Sequence, residues 1–316
     1  MDAWICCVCG GAVGSDAPRI AGKLYCPEHY AKVGQERRSL WKSGLASLVC
    51  LLVLVAGVGL LDLMLKSRLG GTSLVVAGVV LALVPALLWL SFFYAQDRFE
   101  PEPKSYVFGV FLLGALLASA LGIPIVRGLF HVQTWIGTSL LVTLLGSILV
   151  VGFVQESLKY AAVRYSIYGS PDFDQRMDGI LYGAAAGLGY ATVLNIHYVI
   201  DSGGVNLTMG IIHIVVTALA QASFGGISGY FLARAKFEDE PVWWLPLGLV
   251  LAAVLNGLFT VLSGGVIRSG SVLGASRLGP WLCLALAAML ATATLVGLLA
   301  LTRRANAPSA ARTRAA

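Results

Sequence analysis

Residues 153–201 read FVQESLKYAAVRYSIYGSPDFDQRMDGILYGAAAGLGYATVLNIHYVID, and this stretch decides the fold. It predicts two membrane-spanning helices, because two long, mainly apolar runs flank a short charged loop. The first run contains Gln155, Glu156 and Lys159, and the second ends near Asn195. Ionisable side chains are costly at membrane depth, so they indicate a functional site.

The composition of the whole chain agrees with this interpretation. Of 316 residues, 58% are hydrophobic and only 12% are charged, and the mean hydropathy is +0.82. Soluble domains contain about 45–50% apolar residues. We therefore expect an all-α, polytopic membrane helix bundle of about eight transmembrane helices, preceded by a small zinc-binding module. The predicted spans are 45–65, 73–95, 106–127, 137–164, 179–200, 208–233, 243–266 and 280–302.

These spans divide the chain into three predicted parts. Residues 1–40 form a cytoplasmic module, residues 41–302 the transmembrane domain, and residues 303–316 a disordered basic tail. Lys and Arg concentrate in both termini and in the loops after the second, fourth and sixth spans. This positive-inside bias predicts cytoplasmic N- and C-termini, in a bacterial inner membrane. It also accounts for the net charge of +6 without nucleic-acid binding.

The N-terminal module contains two closely spaced pairs of metal-binding side chains. Cys6 and Cys9 form a CxxC pair, and Cys26 and His29 form a CxxH pair. Three thiolates and one imidazole are typical of a tetrahedral structural zinc site, and zinc would stabilise a module too small to bury its own core. Cys7 is an alternative to Cys6 as a ligand, and a pair of disulfides in an exported segment is the competing interpretation.

The module is similar to half of a LIM-type domain or to a zinc ribbon, on the spacing of these ligands and the ending YCPEHY. A closed site with four protein ligands leaves no position open for catalysis. We therefore expect the module to contact a cytoplasmic protein partner.

Five segments of the chain carry a resemblance to a known family. They are DRFEPEPK (97–104), QESLK (155–159), DGILYGAAAGLGYATVLN (178–195), TALAQASFGGISGYFLARAKFE (217–238) and LNGLF (255–259). Together they resemble the PrsW family of intramembrane proteases, which is similar to the CAAX prenyl protease group. The resemblance implies water activation by glutamates and histidines, often with a metal. It also implies a single-span membrane protein substrate such as an anti-sigma factor.

Position by position, the resemblance carries over only in part. The matching residues are Glu156, Lys159 and Asn195. Where the family has glutamate, this chain has Gln155 and Leu194, and where the family has histidine, it has Gln221 and Asn256. Amides form hydrogen bonds but are poor general bases, and they are not normal transition-metal ligands.

Two hypotheses about function follow. In the first, the protein is a catalytically degenerate member of the fold that binds a substrate or partner and acts as a regulator. In the second, it is an active intramembrane metalloprotease with a rearranged site centred on Glu156 and His213. A transporter or channel is less consistent with the sequence, because charges within the spans are few and no inverted repeat is evident.

Overall fold

The structure is a computed structural model, and it describes most of the chain from Thr72 onward. The described residues are 4–6, 9, 11–20, 23–30, 72–95, 102–202, 209–238, 240–267 and 279–305, with isolated positions at 49, 53, 56 and 57. The predicted first span, 45–65, and the predicted tail, 303–316, therefore lie largely outside the described residues.

The described part of the membrane domain is helical. Its helices are α1 (Thr72–Tyr94), α2 (Lys104–Leu117), α3 (Val132–Trp135), α4 (Leu140–Gly146), α5 (Phe153–Ser166), α6 (Arg176–Asp201), α7 (Met209–Phe237), α8 (Trp244–Ile267) and α9 (Gly279–Ala305). Helix α2 continues through π-helical turns at Ala118–Gly122 and Pro124–Leu129, and α4 continues into α5 through a π-helical turn at Ser147–Gly152.

Among the described residues, seven helical stretches are long and apolar enough to cross a membrane. They are Val75–Tyr94, Lys104–Leu129, Leu140–Ser166, Arg176–Asp201, Gly210–Phe237, Trp244–Ser263 and Leu284–Leu301. Each overlaps one of the predicted spans from 73 onward. The expected all-α membrane bundle is confirmed, and the bounds differ by a few residues because polar helix ends extend past the apolar run.

Helices α6 and α7 form the centre of the bundle. In each of them 83% of the apolar window is buried inside the protein, compared with 28–33% in the other five spans. A Cβ added to Gly183 would lie 2.2 Å from the carbonyl oxygen of Gly225, and one added to Gly225 would lie 2.2 Å from that of Gly183. The predicted glycine stripe, Gly179, Gly183 and Gly187, therefore allows backbone-to-backbone contact, as small residues do between membrane helices.

A second close contact joins α8 to the π-helical turn that precedes α5. A Cβ added to Gly152 would lie 2.2 Å from the carbonyl oxygen of Ala253, and one added to Gly257 would lie 2.5 Å from the Cα of Ile148. Single π-helical turns inside helices often occur near functional sites, because they reorient the residues that follow. Here the turn leads directly into Gln155 and Glu156 and holds them beside α8.

The N-terminal module contains a short antiparallel hairpin of β1 (Arg19–Ile20) and β2 (Lys23–Leu24). An isolated bridge pairs Ile5 with Ala12, and a helical turn covers Pro27–Tyr30. These small elements bring the two predicted pairs of metal-binding side chains to one place.

Candidate functional site

Five polar side chains converge in the membrane domain. They come from α5 (Gln155, Glu156, Lys159), α7 (Gln221) and α8 (Asn256). Gln155 is 6% exposed, Gln221 2%, Lys159 1%, and Glu156 and Asn256 are fully buried. Below, these five residues are called the polar cluster. The sequence singled out each of them, and the structure brings all five together.

Glu156 and Lys159 form a buried ion pair, three residues apart on one face of α5. The Lys159 ammonium also donates to Gln221 Oε1 at 2.7 Å. The rings of Tyr190 and Phe224 lie 5.9 and 5.8 Å from Lys159 Nζ, close enough for weak cation–π attraction. Pairing a buried charge in this way offsets much of the cost of removing it from water.

The three amides complete a closed hydrogen-bond network around this ion pair. Asn256 Nδ2 donates to Gln155 Oε1 at 3.0 Å and to Glu156 Oε1 at 2.6 Å. Gln221 Nε2 donates to Gln155 Oε1 at 3.2 Å and to Asn256 Oδ1 at 3.3 Å. The polar atoms that would otherwise bind a ligand are therefore largely occupied by one another.

One carboxylate oxygen in the polar cluster is an exception. Glu156 Oε2 is buried and has no hydrogen-bond partner among the described residues. A buried acceptor without a partner is costly, so it is the atom of the cluster best suited to accept a hydrogen bond from water or from a bound peptide.

Asn195 and Leu194, also predicted as site residues, lie on α6, which contributes no residue to the polar cluster. Asn195 is buried on α6 and donates through Nδ2 to the carbonyl oxygen of Ile214 at 3.1 Å, while Leu194 beside it is partly buried. Asn195 thus links α6 to α7 by a hydrogen bond.

His213 also lies outside the polar cluster. It packs against Tyr198 with ring centroids 4.4 Å apart, and its Nε2 is 3.5 Å from Thr217 Oγ1. On α7 it precedes Gln221 by eight residues, about 12 Å along the helix axis. The structure does not bring His213 to Glu156, as a site centred on these two residues would require.

Two aromatic residues of the site, Tyr190 and Phe224, were not singled out from the sequence. Both are buried beside Lys159 on the central helices α6 and α7. Large aromatic residues among the small residues of a glycine-rich helix face are the only signal that could have indicated them.

The N-terminal module forms a second candidate site. The ligand atoms of Cys6, Cys9, Cys26 and His29 all lie within 4.8 Å of one another, and Cys26 Sγ is 3.0 Å from His29 Nδ1. Cys6 is buried, Cys9 is exposed, and the other two are partly buried. This arrangement matches the predicted set of four ligands and can hold a metal ion. Cys7 lies outside the described residues.

Comparison with known proteins places the membrane domain in a family. The profile described as "PrsW family intramembrane metalloprotease" matches residues 102–295, which is more than half of the chain. The chain belongs to the PrsW family. The matched region of this PrsW-family chain contains all five residues of the polar cluster and excludes the N-terminal module.

Individual relatives agree with the family assignment. Protease PrsW of Bacillus subtilis (strain 168) is 33% identical over 179 residues, which are 56% of this chain and 78% of that protein. Protease PrsW of Geobacillus kaustophilus (strain HTA426) is 30% identical over 210 residues, which are 66% of this chain and 88% of that protein. No solved structure matches the chain. This PrsW-family chain is an integral membrane protein.

Proteins of a metalloprotease family are expected to have side chains that bind a metal ion. The side chains of the polar cluster can be checked for this property. A transition metal is held by thiolates, imidazoles and carboxylates. The polar cluster offers a single carboxylate, already paired with an ammonium group, and three amides. Among the described residues, the group of His, Cys, Asp and Glu side chains suited to a metal lies in the N-terminal module. The polar cluster therefore does not fit a catalytic metal.

Proposed function

We propose that this PrsW-family protein binds a membrane-spanning partner or substrate without cleaving it, and so acts as a regulator. The observation that carries the proposal is the composition of the polar cluster. Its three amides occupy positions at which the family resemblance implies glutamate or histidine, and they bond to each other and to the Glu156–Lys159 pair.

Hydrolysis of a peptide bond in the membrane requires an activated water. Activation by a metal needs about three protein ligands and one open position, and activation without a metal needs a base that is free to accept a proton. In the polar cluster, the Lys159 ammonium and the Asn256 amide both bind Glu156 Oε1. Glu156 Oε1 is therefore already occupied by two donors and is not free to bind a water.

We propose that the module, residues 1–40, binds Zn²⁺ through Cys6, Cys9, Cys26 and His29 in the cytoplasm. Three sulfur donors and one imidazole favour zinc, and reduced thiols are expected in that compartment. Residues 41–302 would form the membrane domain, with both termini on the cytoplasmic face of a bacterial inner membrane, and residues 303–316 a basic tail. The module would then recruit a cytoplasmic protein partner.

A cleavage assay tests the proposal. Purified full-length protein is incubated in lipid vesicles with a candidate single-span membrane protein, such as an anti-sigma factor, and Glu156→Ala is assayed in parallel. We expect no cleavage by either protein, together with co-purification of a bound partner segment. Cleavage that is lost in Glu156→Ala would refute the degenerate assignment.

A gain-of-function variant provides the matching positive control. The triple substitution Gln155→Glu, Gln221→His and Asn256→His restores ionisable or metal-binding side chains at three positions that already converge. We expect the full-length triple variant to bind one metal ion more than the natural chain. If the natural chain already binds that additional ion, the amides are not the reason for its inactivity.

The second candidate function is an active intramembrane metalloprotease that cleaves a single-span membrane protein. Family membership and the partnerless Oε2 of Glu156 favour it. The cleavage assay distinguishes the two functions, because only this one predicts a product that depends on Glu156.

A further inference from the structure

The connection between α5 and α6, residues 167–175, is bound to a lysine side chain of α7. Lys236 lies in the last turn of α7, and its ammonium donates to the carbonyl oxygens of Tyr168 and Phe173, both at 2.7 Å. Hydrogen bonds from an ammonium group are charge-assisted and stronger than those between neutral groups. One side chain therefore holds two points of the connection against the end of α7.

Three aromatic rings lie around the same ammonium group. The Lys236 Nζ is 4.8 Å from the ring centroid of Phe173, 5.1 Å from that of Tyr168 and 5.5 Å from that of Phe237. Ring faces attract cations at distances up to about 6 Å. Phe173 is 1% exposed and stacks on Phe237 and on Tyr182 of α6, with centroids 6.0 and 6.2 Å apart. The connection thus offers the ammonium two carbonyl oxygens and two ring faces, and α7 adds a third ring.

The backbone of the α5–α6 connection is folded into turns. Ser170 N–H donates to the Ile167 carbonyl oxygen at 2.9 Å, and Phe173 N–H donates to the Ser170 carbonyl oxygen at 3.2 Å. Backbone carbonyl groups outside regular helices and sheets need a hydrogen-bond donor from elsewhere when they are removed from water. Lys236 supplies that donor for Tyr168 and Phe173. The folded shape of the connection therefore depends on a charge that α7 contributes.

We propose that the α5–α6 connection is a binding site for a primary ammonium group, and that Lys236 fills this site and thereby positions α5. A primary ammonium group has three N–H donors and a compact charge, so it can bond to two carbonyl oxygens while it faces aromatic rings. A quaternary ammonium group has no N–H donor, and a guanidinium group carries its donors in a rigid plane. The site therefore favours primary amines over other organic cations.

The position of α5 matters because α5 carries three of the five residues of the polar cluster. Gln221 and Lys236 both lie on α7, 15 residues apart in the sequence, which is about 22 Å along the helix axis. Gln221 bonds to α5 within the polar cluster, and Lys236 bonds to the connection that follows α5. Polar groups of α7 therefore hold α5 and its connection at two heights in the bundle. The ammonium site is independent of whether the polar cluster cleaves peptides.

Amine labelling of the natural protein tests whether the ammonium is bound. Full-length protein in detergent is treated with a limiting amount of acetic anhydride, and the acetylation of each lysine is measured by mass spectrometry. Lys104, which is exposed at the start of α2, is the matched control. Lys236 should react about tenfold more slowly than Lys104, because its hydrogen bonds to two carbonyl oxygens must break first. Equal reactivity of the two lysines would overturn the proposal.

Removal of the ammonium tests what it holds. In full-length Lys236→Ala the α5–α6 connection should become accessible, so chymotrypsin should cut after Tyr168 or Phe173 faster than in the natural protein. Lys104→Ala is the matched control and should be cut at the natural rate. An unchanged rate in Lys236→Ala would contradict a connection held by Lys236. Amine labelling needs no variant, so it decides the question even if Lys236→Ala does not fold.

Chemical rescue distinguishes an ammonium site from a general effect of packing. Propylammonium chloride added to Lys236→Ala should restore slow cleavage, because it supplies N–H donors to the vacated site, and it should not change the rate in Lys104→Ala. Tetramethylammonium chloride at the same concentration supplies charge and ionic strength without N–H donors, and it should restore nothing. Failure of propylammonium to rescue, or equal rescue by both salts, would refute a site specific for primary ammonium groups.

Discussion

The N-terminal module and the polar cluster are two groups of converging side chains with opposite chemistry. The module brings together three thiols and one imidazole within 4.8 Å, in a partly exposed position. The polar cluster brings together one ion pair and three amides, all deeply buried. The first group consists of side chains that can hold a metal ion, whereas most polar atoms of the second are paired with one another by hydrogen bonds.

The difference shows that converging side chains can differ in the ligands that they offer, because thiols and imidazoles bind transition metals and amides normally do not. In the module, the proposed zinc ion would join three thiolates and one imidazole, and its binding would contribute to folding. In the polar cluster, the same degree of convergence is stabilised by amide donors and acceptors.

The largest expected effect concerns metal content. From the proposed zinc site we expect one metal ion per natural chain, and Cys6→Ser with Cys26→Ser should lower this to zero because it removes two sulfur ligands. Elemental analysis of the full-length protein measures this. Cys7→Ser is the matched control and should retain the ion if Cys6 is the ligand. Metal that remains in the double variant would place a metal in the membrane domain and erase the contrast between the two clusters.

The next largest effect concerns the buried charge of the polar cluster. Lys159→Met leaves Glu156 buried without its ammonium partner, which should cost about 3–5 kcal/mol in the free energy of unfolding. Denaturation in mixed micelles measures the loss. The double variant Lys159→Met with Glu156→Gln should recover much of it, because no uncompensated charge remains. If the double variant is as unstable as the single one, the ion pair is not what the lysine contributes.

A smaller effect is expected from the scaffold that supports the polar cluster. Gly183→Ala places a methyl group against the Gly225 carbonyl oxygen and should cost about 1–3 kcal/mol by overpacking. Gly109→Ala is the matched control, because a Cβ there meets nothing within 4 Å, and it should be neutral or slightly stabilising. The thermal unfolding temperatures of Gly183→Ala and Gly109→Ala measure the difference. Equal destabilisation would argue against the α6–α7 backbone contact.

The smallest effect is expected at an exposed ion pair. Arg127 Nη2 lies 2.6 Å from Asp201 Oδ2, and the two side chains are 51% and 45% exposed. Arg127→Met should change the free energy of unfolding by no more than about 1 kcal/mol, because water and salt screen such pairs. Comparing the loss of unfolding free energy in Arg127→Met with that in Lys159→Met separates the effect of burial from that of charge. A loss as large as that of Lys159→Met would show that burial is not the deciding factor.

Much of this architecture could be predicted from the sequence. Apolar runs of membrane length predict the spans, and the family motifs indicate that Gln155, Gln221 and Asn256 belong to one site. The spacing of Cys6, Cys9, Cys26 and His29 predicts the metal cluster for a similar reason, since four ligands close together along the chain need little tertiary context.

Other features depended on long-range packing and could not be predicted. The contact between Glu102 and Tyr182 joins positions 80 residues apart, and neither residue alone indicates the other. The π-helical turn at Ser147–Gly152 has no distinctive sequence pattern. The packing of His213 against Tyr198 also depends on how α6 and α7 meet, and neither residue alone indicates it.

The glycine contacts have a mechanical consequence. Gly183 and Gly225 bring the backbones of α6 and α7 into direct contact, and Gly152 and Gly257 do the same for α8 and the turn before α5. The polar cluster lies between these two helix pairs, and among the described residues the hydrogen bonds that join the pairs within the cluster are those of Gln221. If the two pairs separate to admit another helix, the hydrogen bonds of Gln221 have to break.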